Sequence, residues 1–119
     1  MATYSKELLS GSTNGKGIKV AATSIASSPT TIHTAVTGTT DIDLVTLFAY
    51  NSDSADRVLT IGWGGTTDPD DRIIVTIPPQ AGRVPIVVNE PLQNGLVISA
   101  ACPTANVIII SGYVNRVDK

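Results

Sequence analysis

One histidine, His33, and one cysteine, Cys102, are the residues of this sequence best suited to nucleophilic catalysis or zinc binding. His33 lies in a run of residues typical of a β-strand, and we interpret it as a surface strand residue. Cys102 has no cationic neighbour in the sequence to stabilise a thiolate, and we interpret it as a buried structural thiol. A zinc site needs more histidine and cysteine ligands than these two. The sequence therefore predicts no catalytic residue, no metal site and no cofactor.

The glycine-rich stretch Gly11–Gly17 has the residue types of a phosphate-binding loop but not the spacing. Such a loop places four residues between its two glycines and a serine or threonine directly after its lysine. Here three residues separate Gly11 from Gly15, and Lys16 is followed by another glycine. We interpret the stretch as a flexible linker.

An acidic turn brings three carboxylates close together along the chain, at Asp68, Asp70 and Asp71. Carboxylates at this spacing could ligate calcium together with backbone carbonyl oxygens. The turn lacks the glycine and the glutamate that complete an EF-hand loop, and an aspartate followed by proline commonly begins an ordinary turn. We predict that this loop binds no calcium.

The elements that must position these residues are strands. The sequence has 12 valines, 13 isoleucines and 15 threonines, against 7 leucines. Side chains branched at Cβ lose rotamer freedom in a helix and pack well on a pleated sheet. A chain of 119 residues has the length of one domain.

The charge distribution argues against a nucleic-acid partner and against a membrane segment. The net charge is −2 and the lysines and arginines are scattered singly, so no basic patch is present. The longest uncharged stretch, residues 92–113, contains asparagine, serine and proline. We therefore interpret it as two strands and not as a helix that spans a bilayer. The first residues lack the apolar core of a secretion signal, and a single cysteine fits folding in a reducing cytoplasm.

Apolar runs separated by turn residues recur about eight times after residue 17, which predicts an antiparallel β-sandwich of jelly-roll type. No run combines helical periodicity with helical length, and a short helix over Ser5–Leu9 is the one alternative. The predicted strands are Ile18–Thr23, Thr30–Val36, Ile42–Tyr50, Arg57–Trp63, Arg72–Ile77, Val84–Asn89, Leu96–Ala100 and Val107–Val117.

Residues 1–17 differ from the rest of the sequence because most of them have little to bury. We predict a flexible or extended N-terminal arm over residues 1–17 and a β-sandwich domain over residues 18–119. The arm carries Tyr4, Leu8 and Leu9, which could anchor in a groove of a partner. We expect the arm to become ordered only on a partner surface, so the β domain should retain its stability without residues 1–10.

Two of the predicted strands, Ile42–Tyr50 and Val107–Val117, are apolar on both faces. A strand in a two-layer sandwich buries one face in its own core, so the second face needs cover from the arm or from another subunit. This pattern predicts a homo-oligomer. The interaction residues that we expect on these strands are Val45, Leu47, Ile108 and Ile110.

Five segments in the second half follow one another in a distinctive order of strands and turns: Leu47–Ser52, Arg57–Ile61, Ile77–Gly82, Leu96–Ala100 and Val107–Tyr113. In this order the chain resembles the small β-sandwich virion proteins of tailed bacteriophages, among them head decoration or cement proteins and some tail components. The resemblance covers roughly residues 42–117 and contains no chemical signature.

The resemblance implies a structural virion protein, made in the host cytoplasm, that binds the outside of an assembled phage head and stabilises it. It implies a homo-oligomer, with a trimer favoured, bound to the major capsid protein or to another virion protein. An N-terminal arm would reach a neighbouring subunit.

Two other classes of function remain open. A carbohydrate- or receptor-binding module of a phage tail or cell surface would need Trp63, Tyr50 and Tyr113 to form an exposed aromatic platform. Trp63 stands among glycines at a strand end and could stack on a sugar ring or on a partner subunit, but we favour the interpretation that it packs at the edge of the core or anchors a loop. A small jelly-roll enzyme would need a histidine-rich metal cluster, which this sequence lacks.

Overall fold

The computed structural model of the chain describes residues 2–119, which form nine strands and no helix. All eight predicted strands are present, with some ends shifted by a few residues, and a ninth precedes them. The alternative helix over Ser5–Leu9 does not form. The strands are β1 (Thr3–Glu7), β2 (Ile18–Lys19), β3 (Thr30–Thr34), β4 (Ile42–Asn51), β5 (Arg57–Trp63), β6 (Arg72–Ile77), β7 (Val84–Leu92), β8 (Val97–Ala101) and β9 (Ile108–Asp118).

The strands form two antiparallel sheets that pack face to face. The first sheet has the order β1-β9-β4-β7, and β2 pairs with the same edge of β9 as β1 does. The second sheet has the order β3-β8-β5-β6. From β2 onward the chain alternates between the sheets except at the β5–β6 hairpin, as in a jelly roll. The predicted antiparallel sandwich is therefore confirmed. Across residues 2–119 there is no helix with the length and apolar character of a membrane span.

The hydrophobic core lies between the sheets and follows the two-residue period of the strands. Every second residue of β4 is fully buried, beginning at Asp43 and ending at Asn51. The same alternation selects Leu59 and Ile61 of β5 and Ile108 and Ile110 of β9. Each central strand therefore presents one face to the core and the other to the outside of the sandwich.

The N-terminal segment, residues 2–11, belongs to the domain, which corrects the prediction of a separate arm up to residue 17. Strand β1 pairs with β9 along its whole length, from Thr3 opposite Asp118 to Glu7 opposite Val114. Leu9 is 2% exposed and belongs to the core cluster. Amino-acid composition did not predict that this segment is ordered, because its backbone hydrogen bonds to β9 do not depend on side-chain polarity. Removing residues 2–10 would therefore take the Leu9 side chain out of the core. Met1 lies outside the described residues.

Two glycines occupy positions where backbones approach too closely for any side chain. A Cβ atom at Gly112 of β9 would meet the carbonyl oxygen of Thr46 on β4, and the residue has a φ of +154°. A Cβ atom at Gly11 would meet the carbonyl oxygens of Thr31 and Ile32 on β3. Glycine at these two sites lets β9 lie against β4 and lets the N-terminal segment lie against β3.

The alternation along β9 gives a direct test of the fold. Replacing Ile110, which is fully buried, with alanine should lower the free energy of unfolding by about 2–5 kcal/mol, because it leaves a cavity. The matched change at its neighbour Ile109, which is half-buried outside the core, should cost about 1 kcal/mol. Urea denaturation followed by the fluorescence of the single tryptophan would measure both. Equal costs, or a larger cost at Ile109, would contradict the assignment of faces.

Candidate functional site

The outer face of the five-stranded sheet carries large apolar side chains on its two central strands. Strands β4 and β9 pair from Ile42 opposite Val117 to Asn51 opposite Ile108. The residues that alternate with the core residues face outward, and the large apolar ones among them are half-buried and absent from the core cluster. Two small polar residues of the same set, Thr46 and Ser111, are buried. We call this surface the apolar outer face, and it consists of Ile42, Leu44, Phe48 and Tyr50 of β4 and Ile109, Tyr113 and Val117 of β9.

Strand β1 extends the apolar outer face at one edge of the sheet. Tyr4 lies opposite Val117 and is 76% exposed. The Lys6 ammonium lies 4.5 Å from the centroid of the Tyr113 ring, a cation–π contact on the same face. At the opposite edge, Pro85 and Pro91 interrupt the donors of β7, which protects that edge from pairing with another strand. The β1 edge has no proline and is the more open of the two.

Four residues that the sequence predicts as interaction residues, Val45, Leu47, Ile108 and Ile110, are fully buried in the core of the single chain. They form no contact surface, and the prediction is corrected to the alternate residues of the same strands. Sequence could not choose between the faces, because both faces of β4 and β9 are apolar. The polar residue at the start of the buried face, Asp43, even favours the wrong choice.

The remaining predicted interaction residues divide between surface and core. Tyr4 and Leu8 are exposed, whereas Leu9 is buried. Trp63 is half-buried at the end of β5 and packs against the core. Tyr50 lies on the outside of the other sheet, as does Tyr113. The structure therefore does not assemble the platform that a carbohydrate-binding module would need from Trp63 and these tyrosines.

A buried polar cluster lies at one end of the sandwich, and His33 is its centre. The ring is 1% exposed, which corrects the prediction of a surface histidine. Its Nε2 lies 2.8 Å from Oδ2 of Asp43, whose side chain is also fully buried. Arg116, which stands opposite Asp43 in the β4–β9 pairing, donates from Nε to Oδ1 at 2.7 Å. This cluster could not be predicted from the sequence, because Asp43 is separated from His33 by 10 positions and from Arg116 by 73.

The negative charge of Asp43 in this cluster is paired with the positive charge of Arg116. Burial raises the pKa of Asp43, but hydrogen bonds from Arg116 and His33 outweigh it and hold the pKa below its ordinary value. The same hydrogen bond, from the other side, raises the pKa of Arg116. Residues 2–119 contain no buried side-chain nitrogen or oxygen without a hydrogen-bond partner. The cluster is thus an ion pair with its hydrogen bonds complete.

The cluster has the residue types of a Ser-His-Asp triad but not its geometry. The backbone N–H of Ser10, and not its hydroxyl, donates to Nδ1 of His33 at 3.0 Å. The hydroxyl oxygen of Ser10 instead accepts the N–H of Thr34 at 2.7 Å. A nucleophilic serine needs its hydroxyl on the imidazole. With both ring nitrogens engaged, this arrangement holds chain segments together.

The acidic turn and the cysteine show no ligand arrangement. Asp71 accepts the N–H of Thr67, and Asp68 lies 3.7 Å from the Arg72 guanidinium. Within the described part of the chain, no three histidine, cysteine, aspartate or glutamate side chains are grouped as metal ligands would be. Cys102 is a buried free thiol, as predicted.

A pocket of about 400 Å³ opens where β4 meets the β7–β8 turn. Ile42 lines it and also belongs to the apolar outer face, so the two are continuous. Most of the lining is apolar, with amides at one side. The lining residues are Thr39, Ile42, Pro91, Leu92, Gln93, Asn94 and Leu96.

Comparison with known proteins gives no relative. No protein-family model, no curated protein and no solved structure matches the chain. Functional inference therefore rests on the surfaces and contacts described above.

The ion pair in the buried cluster predicts a specific acid sensitivity. Because the folded state lowers the pKa of Asp43, this carboxylate stabilises the fold at neutral pH. That contribution should be lost as the pH falls below about 4, through the lowered pKa. Asp43→Asn should cost about 3 kcal/mol at pH 7, since it leaves Arg116 without its partner. Urea denaturation at several pH values would measure this.

The exposed Asp56 offers the matched control, because Asp56→Asn changes the same group on the surface. The control should leave the stability at pH 7 nearly unchanged and keep the acid sensitivity. The difference in stability between the wild type and Asp43→Asn should shrink in acid. A difference that stays constant from pH 7 to pH 3 would show that Asp43 contributes through packing and not through its charge.

Proposed function

We propose that this chain is a structural assembly protein, of the kind that decorates the outside of a tailed-phage head as a homo-oligomer. The observation that carries the proposal is the apolar outer face. In a two-layer sandwich such a face has no further layer of its own chain to cover it. Contiguous apolar surfaces on a folded domain are typical of contacts with other proteins.

The energy available at this face is sufficient to drive association. Covering a half-exposed aliphatic or aromatic side chain contributes on the order of 1 kcal/mol. Seven such side chains therefore offer several kcal/mol to each subunit, before polar contacts are counted. Association must also offset the loss of translational and rotational freedom. A contact that uses the whole face, and not single residues of it, meets this requirement.

The composition of the face favours protein partners. Tyrosine and phenylalanine are enriched in the centres of protein interfaces, and Phe48, Tyr50 and Tyr113 supply them here. The charges that border the face are Lys6, which is held over an aromatic ring, and Lys19, which lies opposite Ile109 at the edge of the sheet. Charged residues are depleted from the centres of protein interfaces, because removing them from water is costly.

The jelly-roll topology is compatible with this role without deciding it. Jelly rolls serve as viral capsid proteins, as lectins and as cupins. Function on such a common fold is argued from its sites. The virion location, the trimeric state and the capsid partner rest on the resemblance of residues 42–117 to decoration proteins.

Carbohydrate binding is the second candidate function, because the side chains of Tyr4, Tyr50 and Tyr113 lie on the same outer side of the five-stranded sheet.

Assembly through this face is tested in solution. The wild type should scatter light as a multiple of its 12.3 kDa subunit at micromolar concentration. Leu44→Asp and Phe48→Asp place a charge on the face and should yield monomers that remain folded by circular dichroism. The matched control is Thr76→Asp, on the exposed outer side of the other sheet, which should stay assembled. A monomeric wild type, or face variants that remain assembled, would contradict the proposed interface.

The decoration role is tested on the particle. Cryo-electron microscopy of the native phage should show copies of the chain on the outside of the head, with the apolar outer face covered. Density on the tail would contradict the head assignment but not assembly. A protein absent from the particle that binds glycans on an array would favour the carbohydrate-binding alternative instead.

A further inference from the structure

The N-terminal segment crosses from one sheet of the sandwich to the other and is fastened at three successive residues. Leu9 is buried in the core. The next residue, Ser10, contacts both His33 and Thr34 of β3. The N–H of Gly11 then donates to the carbonyl oxygen of Ile32 at 2.9 Å. Residues 3–7 lie on the edge of the five-stranded sheet, so residues 9–11 join the two sheets.

The hydrogen bonds around His33 determine the protonation state of its ring. Nδ1 accepts the N–H of Ser10 at 3.0 Å, so Nδ1 carries no proton. The ring proton is therefore on Nε2, which donates to Asp43 at 2.8 Å. The fastened segment is compatible only with the neutral imidazole, because a second ring proton would point at the N–H of Ser10.

The charged groups around the ring come from three strands and are already paired with one another. Asp43 on β4 contacts the ring directly and accepts two hydrogen bonds from Arg116 on β9. Glu7 on β1 lies 3.9 Å from the same guanidinium. Asp41, just before β4, also acts electrostatically on Arg116. Three carboxylates thus surround the single guanidinium, and Asp43 is the one that contacts the ring. Because Asp43 can pair with the ring whether the segment is fastened or released, the contact that distinguishes the fastened state is the N–H of Ser10 at Nδ1.

We propose that His33 is a proton-sensitive latch that holds the N-terminal segment on the sandwich when its ring is neutral and releases it when the ring is protonated. Histidine is the side chain whose charge ordinarily changes between pH 5 and 8, so a contact built on a histidine ring can respond to a proton. Protonation places two donors against each other at Ser10, and the segment must move away to let water reach Nδ1. The ion pair between Asp43 and Arg116 stays intact in this range.

Release exposes surfaces that the closed state covers. Leu9 leaves the core, and the edge of β9 from Val114 to Asp118 loses its pairing with β1. The contacts between β4 and β9 do not involve the segment and remain. The latch therefore changes local order at one edge without unfolding the domain. This inference is independent of the assembly role proposed above.

Amide hydrogen exchange followed by mass spectrometry on the full chain tests the latch. After correction for the intrinsic effect of pH on exchange, opening of residues 2–11 should increase up to about tenfold for each pH unit below 7, as expected for release coupled to one proton. Exchange in the central part of β4, residues 44–50, should not change. Exchange in residues 2–11 that is independent of pH would overturn the proposal, as would a parallel increase in β4.

Two variants separate the ring from the rest of the contact. His33→Gln keeps an acceptor and a donor but does not titrate, so its exchange in residues 2–11 should be flat with pH. Ser10→Ala removes the hydroxyl contact with Thr34 and keeps the backbone N–H, so the pH dependence should persist. An unchanged pH dependence in His33→Gln, or its loss in Ser10→Ala, would show that His33 protonation is not the trigger.

A measurement on the unmodified protein makes the test independent of how well the variants fold. The chain has a single histidine, so its ring nitrogens give one unambiguous set of NMR signals. At neutral pH the ¹⁵N shifts should report a protonated Nε2 and an unprotonated Nδ1. A proton on Nδ1 at neutral pH would contradict the contact with Ser10 and overturn the latch.

Discussion

Pairing between β4 and β9 is the constraint on which the rest of this structure depends. Their register, from Ile42 opposite Val117 to Asn51 opposite Ile108, decides which residues of both strands enter the core. A shift by one residue would exchange the inner and outer faces of both strands. Gly112 allows a close approach between them, because any side chain there would meet the backbone of β4. Core, apolar outer face and buried cluster all follow from this one register.

The same register places Arg116 directly opposite Asp43, at the end of the sandwich where the N-terminal segment crosses. A buried carboxylate is costly unless it is fully paired, and here three groups satisfy it: the guanidinium, the imidazole of His33 and the backbone N–H of Val36. The imidazole in turn accepts the N–H of Ser10. One chain of hydrogen bonds thus connects β9, β4, β3 and the N-terminal segment, and it links charge to the order of that segment.

The apolar outer face lies on the five-stranded sheet and His33 lies on β3 of the other sheet, and the two features depend on different interactions. The face offers a large area with little chemistry, which suits association with another protein surface. The latch depends on one proton and on donors and acceptors in fixed positions, so a change of the His33 ring alters it. Strand β1 connects the two features, because Tyr4 and Lys6 continue the outer face and the residues that follow β1 contact His33. Movement of β1 would therefore also change the area of that face.

The sequence by itself determined the architecture. Alternating β-branched residues and turn signals are local properties, and they located eight of the nine strands and the sandwich. It also showed that β4 and β9 are apolar on both sides, but not which side is inside, since both faces satisfy the same period of two. The choice came from register, which placed Val45 and Ile110 in the core. Only the tertiary structure could bring His33, Asp43 and Arg116 together, because partners this far apart along the chain leave no local pattern. The tertiary structure also orders the N-terminal segment, because residues 3–7 pair with β9 through backbone hydrogen bonds that the side chains of the segment do not reveal.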